Sequence, residues 1–313
     1  MSGLILRRLA ALLPVLLVVA IVVFVMLRLA PGDPAALIAG NNATSAEIDR
    51  IREQMGLTRP IWVQFGLWAA QVVQGDLGFS YYLTQPVTRL IGERIEPTLS
   101  LAFGTLLVSV VLAVPLGTLA AARMGGRLDR AVMAASVAGF SVPVFIVGYL
   151  LIWLFGLELR WLPVQGYVPL SRGVGRWALH LVLPCLTLSF AYVALIARVT
   201  RASVSEALTE DHVRTARAKG LADSKVLRRH ALANAAVPIV TVIGIGVALL
   251  IGGVVVTETV FAVPGLGLLT VDAVMNRDFP LIQGLVLFFS VVYVFINLLV
   301  DLSYLLLDPR IRY

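Results

Sequence analysis

The stretch TLSLAFGTLLVSVVLAVPLGTLAA, residues 98–121, runs through 24 positions without an Asp, Glu, Lys or Arg. A helix needs about 20 predominantly apolar residues to cross the roughly 30 Å hydrocarbon core of a bilayer. Five more stretches of the same character accompany it, at residues 9–29, 131–156, 177–198, 235–258 and 281–306. Backbone N–H and C=O groups find no partner in hydrocarbon, so each stretch is expected to be a helix. The fourth is the weakest, because His180 and Pro184 sit near its start, although Leu181 to Ala197 stays apolar.

The whole chain has the same character. Of its 313 residues 59% are hydrophobic and 14% charged, against roughly 45–50% and about 25% in an ordinary soluble domain. With a mean hydropathy of +0.92, a soluble globular enzyme, a disordered chain and a collagen-like chain are excluded. No internal repeat, low-complexity run or linker divides the sequence, so one membrane domain over residues 1–313 is expected. The fold class that follows is an all-α polytopic membrane protein with six transmembrane helices.

Arg7 and Arg8 precede the apolar run Leu9 to Leu27. That run exceeds the roughly 7–15-residue core of a cleaved signal peptide and is expected to stay as the first span. No lipidation or organelle-transit motif is present. On the six-span reading, 15 Lys and Arg lie on the side of the amino terminus, residues 122–130, the 198–234 loop and the tail, and 10 on the other. Acidic residues divide 7 and 11, so the two sides carry +8 and −1. The positive-inside rule then places both termini in the cytoplasm. The total of +7 is therefore read as topology, and no nucleic-acid partner is expected.

Two polar segments are long enough for structure of their own. The external one, 30–97, opens with Pro31-Gly32-Asp33-Pro34, and Thr44 to Met55 begins with a Thr/Ser cap and acidic first-turn residues, as a helix outside the membrane would. The cytoplasmic one, Arg198 to Asn234, holds eight basic residues, four acidic ones and two histidines with few helix breakers.

Catalytic chemistry is not evident. The only lysines, Lys219 and Lys225, are followed by Gly220 and Val226, so neither closes a Gly-Lys-Ser/Thr phosphate loop. Any ATP hydrolysis is expected in another subunit. Glu258, Asp301 and His180 lie near span ends, which weakens an ion-coupled carrier. His180, His212 and His230 show no metal-ligand spacing, and no G-x-S-x-G element occurs. No catalytic residue and no metal site are expected. Cys185, the single cysteine, allows no internal disulfide and is read as a packed thiol.

The most informative segment is Asp211-His212-Val213-Arg214-Thr215-Ala216-Arg217-Ala218-Lys219-Gly220-Leu221, followed by Arg228-Arg229-His230-Ala231-Leu232-Ala233-Asn234 and Pro238. It resembles the cytoplasmic EAA loop of ABC importer permeases, in which E-A-A, three residues, G, nine residues and I-x-L-P form a coupling helix that docks in a groove of the ATPase subunit. Anchored on Gly220, the pattern puts Arg214-Thr215-Ala216 at E-A-A, His230 at Ile, Leu232 at Leu and Ala233 at Pro, so only Ala216, Gly220 and Leu232 match it strictly. The variant found here is similar to the dipeptide, oligopeptide and nickel permease branch. So are Arg7-Arg8, Pro31-Gly32-Asp33-Pro34, Gly75-Asp76-Leu77-Gly78, Glu258-Thr259-Val260-Phe261, Pro264-Gly265-Leu266-Gly267, Asn276-Arg277-Asp278-Phe279-Pro280 and Leu307-Asp308-Pro309-Arg310-Ile311.

On the residues alone, Ala216, Ala218 and Gly220 allow close backbone approach or a helix end, while Arg214, Arg217 and Lys219 suit acidic or carbonyl groups of a partner. A short amphipathic helix of this kind fits a groove, and a solvated positive-inside loop remains the plainer alternative. Pro264-Gly265-Leu266-Gly267 is either a turn out of the membrane or, as the resemblance implies, part of an external gate or a contact for a binding protein. Thr257 and Glu258, polar at the outer end of the fifth span, join Pro264 and Gly265 as candidates for the translocation path or gate. Gly244, Ala248 and Gly252 recur at four-residue spacing, which permits close helix packing. A seam with a second membrane subunit is the preferred use, and packing within the chain gives the same pattern.

The resemblance implies the type I ABC importer permease fold, a bacterial inner-membrane location and a peptide-type importer. Its implied partners are a second homologous permease, two ABC ATPase subunits, an external substrate-binding protein and membrane lipid. It implies no cofactor in this chain, with ATP and Mg held by the ATPases. Dipeptides or oligopeptides are the expected substrates, with glutathione or nickel complexes as alternatives. An ATP-independent carrier or channel and a non-transporting scaffold stay open on the residues alone.

Overall fold

A computed structural model gives the structure of the chain and describes residues 2–29, 35, 44–54 and 56–307. Among them eleven helices of eight residues or more follow in order: α1 (Ser2–Leu29), α2 (Ser45–Gln54), α3 (Ile61–Val73), α4 (Val87–Ala122), α5 (Arg127–Ser141), α6 (Val144–Leu151), α7 (Val174–Ala207), α8 (Asp211–Ala218), α9 (Ala236–Val260), α10 (Leu266–Met275) and α11 (Phe279–Leu307). The chain divides into two compact units, Met1–Glu93 with Thr270–Val294, and Arg94–Leu269 with Phe295–Tyr313.

In the first unit, α2 starts where the sequence places a helix. Thr44 and Glu47 form a capping box, with the Thr44 N–H donating to Glu47 Oε2 at 2.8 Å and the Glu47 N–H to Thr44 Oγ1 at 3.4 Å. The Glu47 N–H also donates to the Thr44 carbonyl at 3.1 Å, and the box gives the Thr44 N–H an acceptor that no helix turn supplies. These contacts hold the Glu47 carboxyl below the usual carboxylate range, chiefly through the Thr44 backbone. The sequence does not announce the antiparallel pair β1 (Phe79–Ser80) and β2 (Gln85–Pro86). Buried Ser80 and Asp278 tie that hairpin to the start of α11. The Ser80 hydroxyl donates to Asp278 Oδ2 and accepts the Leu83 N–H at 3.0 Å, while Asp278 Oδ1 caps α11 through the Leu281 N–H at 3.3 Å. Thus Gly75-Asp76-Leu77-Gly78 and Asn276-Arg277-Asp278-Phe279-Pro280, far apart in sequence, meet where Gly78 faces Pro280.

The second unit is organised around α7. The weakest apolar stretch of the sequence is the most enclosed of the three long described spans: 56% of the apolar window of α7 is buried, against 22% in α4 and 17% in α11. Buried Pro184, Cys185, Thr187 and Ser189 are tolerated because little of α7 meets lipid, and Thr187 and Ser189 donate to carbonyls of their own helix. Neighbours approach it through glycine. A Cβ on Gly104 of α4 would stand 2.6 Å from Cys185 Sγ, and one on Gly139 of α5 would stand 2.6 Å from the Ala194 Cβ. One on Gly253 of α9 would lie 3.0 Å from Leu188. Farther along, Arg201 grips Asp129 of α5 through two parallel bonds of 2.9 Å, and Asp129 also accepts the Gly125 N–H.

Several boundaries differ from the sequence expectation. The 131–156 stretch is not one helix: α5 and the Val144–Glu158 segment meet at 103°. Pro143 has no N–H to continue the ladder, and Val142 before it is extended, at φ −92° and ψ 122°. Beyond α6 the chain continues as a π-helical turn, Ile152–Glu158. Helix α4 starts at Val87, well before residue 98, and α7 runs to Ala207, so the first part of the 198–234 loop is helix. By length and composition α4, α7 and Phe279–Ser303 of α11 are each sufficient to cross a membrane, and two bent pairs bring the described candidates to five. Of the two uses of the small-residue spacing, Gly244 shows packing within the chain, because a Cβ on it would stand 2.4 Å from Val300 of α11. The side chains of Ala248 and Gly252, and the segments Pro31–Pro34 and 308–311, lie outside the described residues.

Candidate functional site

The segment singled out by sequence, Asp211 to Leu221, is a helix followed by its stop. Glu210 is the extended N-cap, Asp211 lies in the first turn and Arg217 in the last, which suits the helix dipole at both ends. Gly220 takes φ +74°, its N–H donates to the Arg217 carbonyl at 2.9 Å, and the Leu221 N–H donates to Ala216 at 3.3 Å. These bonds form a Schellman ending, in which the left-handed residue is ordinarily glycine. Nothing lies within 4 Å of a Cβ placed on Gly220, so of the two sequence readings of this glycine the helix end is the one observed within this chain.

Helix α8 is seated by its apolar side. Val213 and Ala216 are buried against Val226, with Leu208 and Leu221 beside them. The segment beneath is a one-turn helix, Asp223–Lys225, a π-helical turn, Val226–Ala231, and Leu232–Asn234. On the other side Arg214, Thr215, Arg217, Ala218 and Lys219 are exposed. Arg214 pairs with Asp211 at 3.2 Å and Arg217 with Asp223 at 3.5 Å. Exposed pairs of this kind contribute little to stability and are readily exchanged for a partner's groups. His212 does something the sequence did not indicate: Nδ1 faces Glu210 Oε2 at 3.1 Å and Nε2 faces the Asn234 amide at 2.7 Å. It staples the start of α8 to the end of the segment beneath it. No local pattern could have signalled a contact across 22 positions.

The second group of candidates forms a knot at the end of α9. Glu258, 0% exposed, accepts the Thr98 hydroxyl on Oε1 at 2.6 Å and the Leu268 N–H on Oε2 at 2.9 Å. Thr98 in turn accepts the Leu266 N–H at 2.8 Å. The carboxylate thus caps α10 from a distance, where the dipole favours negative charge. A Cβ on Gly265 would stand 2.0 Å from Glu258 Oε1, and one on Gly267 2.7 Å from the Val255 Cα, so the Pro264-Gly265-Leu266-Gly267 turn needs both glycines for close approach. The structure brings Glu258 and Gly265 together with Pro264 adjoining them. Buried Thr257 instead donates to Gly253 of its own helix at 3.2 Å. Thr98, at the very start of the 98–121 stretch, was not recognisable as a partner from sequence.

The same end of α4 holds the 159–173 loop. The Tyr167 hydroxyl donates to Glu96 at 2.9 Å and lies 3.1 Å from Ser100 Oγ, which accepts the Trp177 indole N–H at 3.2 Å. Burial pushes the Tyr167 phenol up from its ordinary value and keeps it a donor.

These features define a class: a helical multi-pass membrane protein presenting a short, firmly seated, charged helix outside the apolar layer. The chain belongs to the family described as binding-protein-dependent transport system inner membrane component, which matches residues 113–313, and the N-terminal family of the same systems matches residues 1–102. It is 54% identical over 309 residues, 99% of each chain, to a probable peptide ABC transporter permease protein of Sinorhizobium fredii. It is 42% identical over 313 residues, all of both chains, to a putative peptide transport system permease protein of Brucella abortus. The glutathione transport system permease protein GsiC of Pectobacterium atrosepticum is 44% identical over 307 residues, 98% of each. In fold it is similar to a chain of the inward-facing MetNI methionine ABC transporter, with a TM-score of 0.59 and 18% identity over 70% of this chain and 96% of that one. The type I importer permease fold expected from the sequence is the one observed, and the protein is a multi-pass permease of the inner membrane.

Proposed function

We propose that this chain is one of two related permeases in an ATP-driven importer of dipeptides or oligopeptides. Its partners are a second permease, two ATPase subunits and an external substrate-binding protein. It crosses the membrane six times with both termini in the cytoplasm, and it has no ATPase site of its own. ATP and Mg belong to the ATPase subunits. Relatives named for peptide transport match it end to end, which supports the substrate class, and the GsiC likeness makes glutathione, itself a peptide, the second reading.

The observation that carries the reading is the seating of α8. Its apolar face is held by Val226, Leu208 and Leu221, so a push on its charged face moves the segment beneath as one piece. In the proposed cycle Asp211 to Leu221 dock in a groove of an ATPase subunit, and the closing of the ATPase pair on ATP draws α8 with it. ATP drives the change because it binds the closed state preferentially. The knot of Glu258, Thr98 and Gly265, with Thr257 and Pro264 beside it, serves as a stiff element of the external gate.

Two measurements test this. Gentle extraction of the tagged chain should bring with it a second permease and ATPases bearing a Gly-Lys-Ser/Thr loop, and a chain that stays alone after cross-linking would sink the proposal. In proteoliposomes holding the co-purified complex, Gly220→Val should keep ATP hydrolysis and lose peptide uptake, and unchanged uptake would refute the coupling role of α8.

A further inference from the structure

Helix α3 has thirteen residues, none of them charged. It is about 20 Å long, too short for a hydrocarbon core of roughly 30 Å. Yet it is among the most apolar short helices of the chain, and none of its residues is fully buried. Trp62, Val63, Gly66, Leu67, Ala70 and Val73 are all exposed and fall within an arc of about 140° at 100° per residue. Trp62 is 73% and Val73 87% exposed. Among the described residues nothing covers this stripe, and a contiguous apolar surface of that kind marks contact with something other than water.

The rest of the helix shows where it lies. Phe65 and Trp68, on the opposite arc, pack on Phe24 of α1 with ring centroids 5.2 and 5.5 Å away. Phe24 is five residues before the end of α1 at Leu29, about 7.5 Å along the helix axis. Amphipathic helices that rest on a membrane sink their apolar face about 5–10 Å into the boundary of headgroups and acyl chains. Between the two arcs, Gln64 and Gln71 line a cavity of about 640 Å³ shared with Asp76 and Arg59, and Leu67 and Ala70 at the edge of the stripe border it, so one edge of the helix is polar and the lipid-facing part of the stripe is centred on Trp62, Gly66 and Val73. Trp62 at the start and Trp68 fit the interfacial belt, where indole is favoured. The one polar group on the stripe is the Trp62 indole N–H, which suits the headgroup side of that boundary.

We propose that α3 is a non-spanning interfacial helix, with its stripe from Trp62 to Val73 seated among the acyl chains of outer-leaflet phospholipid. The inference rests on α1 being the first span, as proposed above. The segment after that span is then an anchor on the outer surface of the membrane, and not a helical loop standing clear of it.

Spin labels test both readings together. Val63→Cys, Val73→Cys and, as a reporter of the first span, Val18→Cys are placed singly in a Cys185→Ala background. The full-length chain with its co-purifying subunits is reconstituted in nanodiscs of phosphatidylethanolamine and phosphatidylglycerol. Residues 18, 63 and 73 are exposed, so the labels leave packing intact. Labels at 63 and 73 should be relaxed severalfold more by oxygen than by a water-soluble nickel chelate, with the label at 18 deeper still. Greater relaxation by nickel at 63 and 73, with 18 remaining in lipid, would place α3 in water and overturn the proposal alone. Protection from both reagents at 63 and 73 would overturn it in favour of a protein partner. A label at 18 relaxed by nickel would overturn the first-span reading and the proposal with it.

Discussion

Ala262 holds a backbone position that glycine ordinarily takes. Its φ is +49°, and the Val263 N–H donates back to Glu258 at 2.9 Å, so it closes α9 as Gly220 closes α8. A Cβ in the left-handed region costs roughly 1–2 kcal/mol, offset in part by the extra chain entropy of glycine, about 0.5–1 kcal/mol. Since Ala262 is exposed, Ala262→Gly should leave the thermal midpoint of the purified complex unchanged or slightly raised, and a clear fall would contradict this account. Gly265→Ala should be far more damaging than Gly220→Ala, because the first drives a Cβ to 2.0 Å from the Glu258 carboxylate while the second meets nothing within 4 Å. Expression level and midpoint of the two variants, compared side by side, check the order. That Gly220 ends a helix is legible in the sequence. That Ala262 does so is not, since alanine usually continues one.

Helix α8 illustrates what holds an element in place. Val213→Ala removes two carbons from a buried site, at about 0.8 kcal/mol each before any cavity term, and Val213→Asp would bury a charge with no partner near it. Both should lower peptide-stimulated ATP turnover, the aspartate more, whereas Arg214→Ala, whose pair is exposed, should leave stability unchanged. For α2 the lowered Glu47 carboxyl fixes the sign of a pH effect. Stability gained from the ionised cap is present above the ordinary Glu value and fades as pH falls through the depressed one. Protection of the amides at residues 45–48 against hydrogen exchange, relative to their intrinsic rates, should therefore fall on acidification, and Glu47→Gln should flatten that dependence. The apolar stretches and the cap of α2 were legible because composition and capping chemistry are local. The break at Pro143 was half visible, since proline in a membrane helix kinks it in some settings and ends it in others. The hairpin at residues 79–86 was hidden, because the contact that fixes it comes from Asp278, almost two hundred positions away.

At the scale of the molecule, the excess of Lys and Arg on one side of the six-span reading predicts orientation directly. A cysteine placed at Ser224 should react with a membrane-impermeant maleimide only after cells are opened, and one at Ser45 without opening them. The reverse pattern would invert the topology. Helix α7 is the least apolar of the three long spans, at mean hydropathy 2.1 against 2.3 and 2.4, as the sequence indicates, but hydropathy measures preference for lipid and does not show that α7 is largely enclosed by protein. That enclosure has a mechanical consequence. Helix α7 is a rod of 34 residues, about 51 Å long, and only Leu208 to Glu210 separate it from α8. Glycines of α4, α5 and α9 bring three neighbours close against it, so in the proposed cycle a displacement at the α8 end would be carried along the helix to Trp177, whose indole is bonded to the network around Tyr167. Pro184 is the one proline inside that helix, and in the proposed cycle its compliance would set how much of a stroke begun on one side of the membrane is delivered to the other.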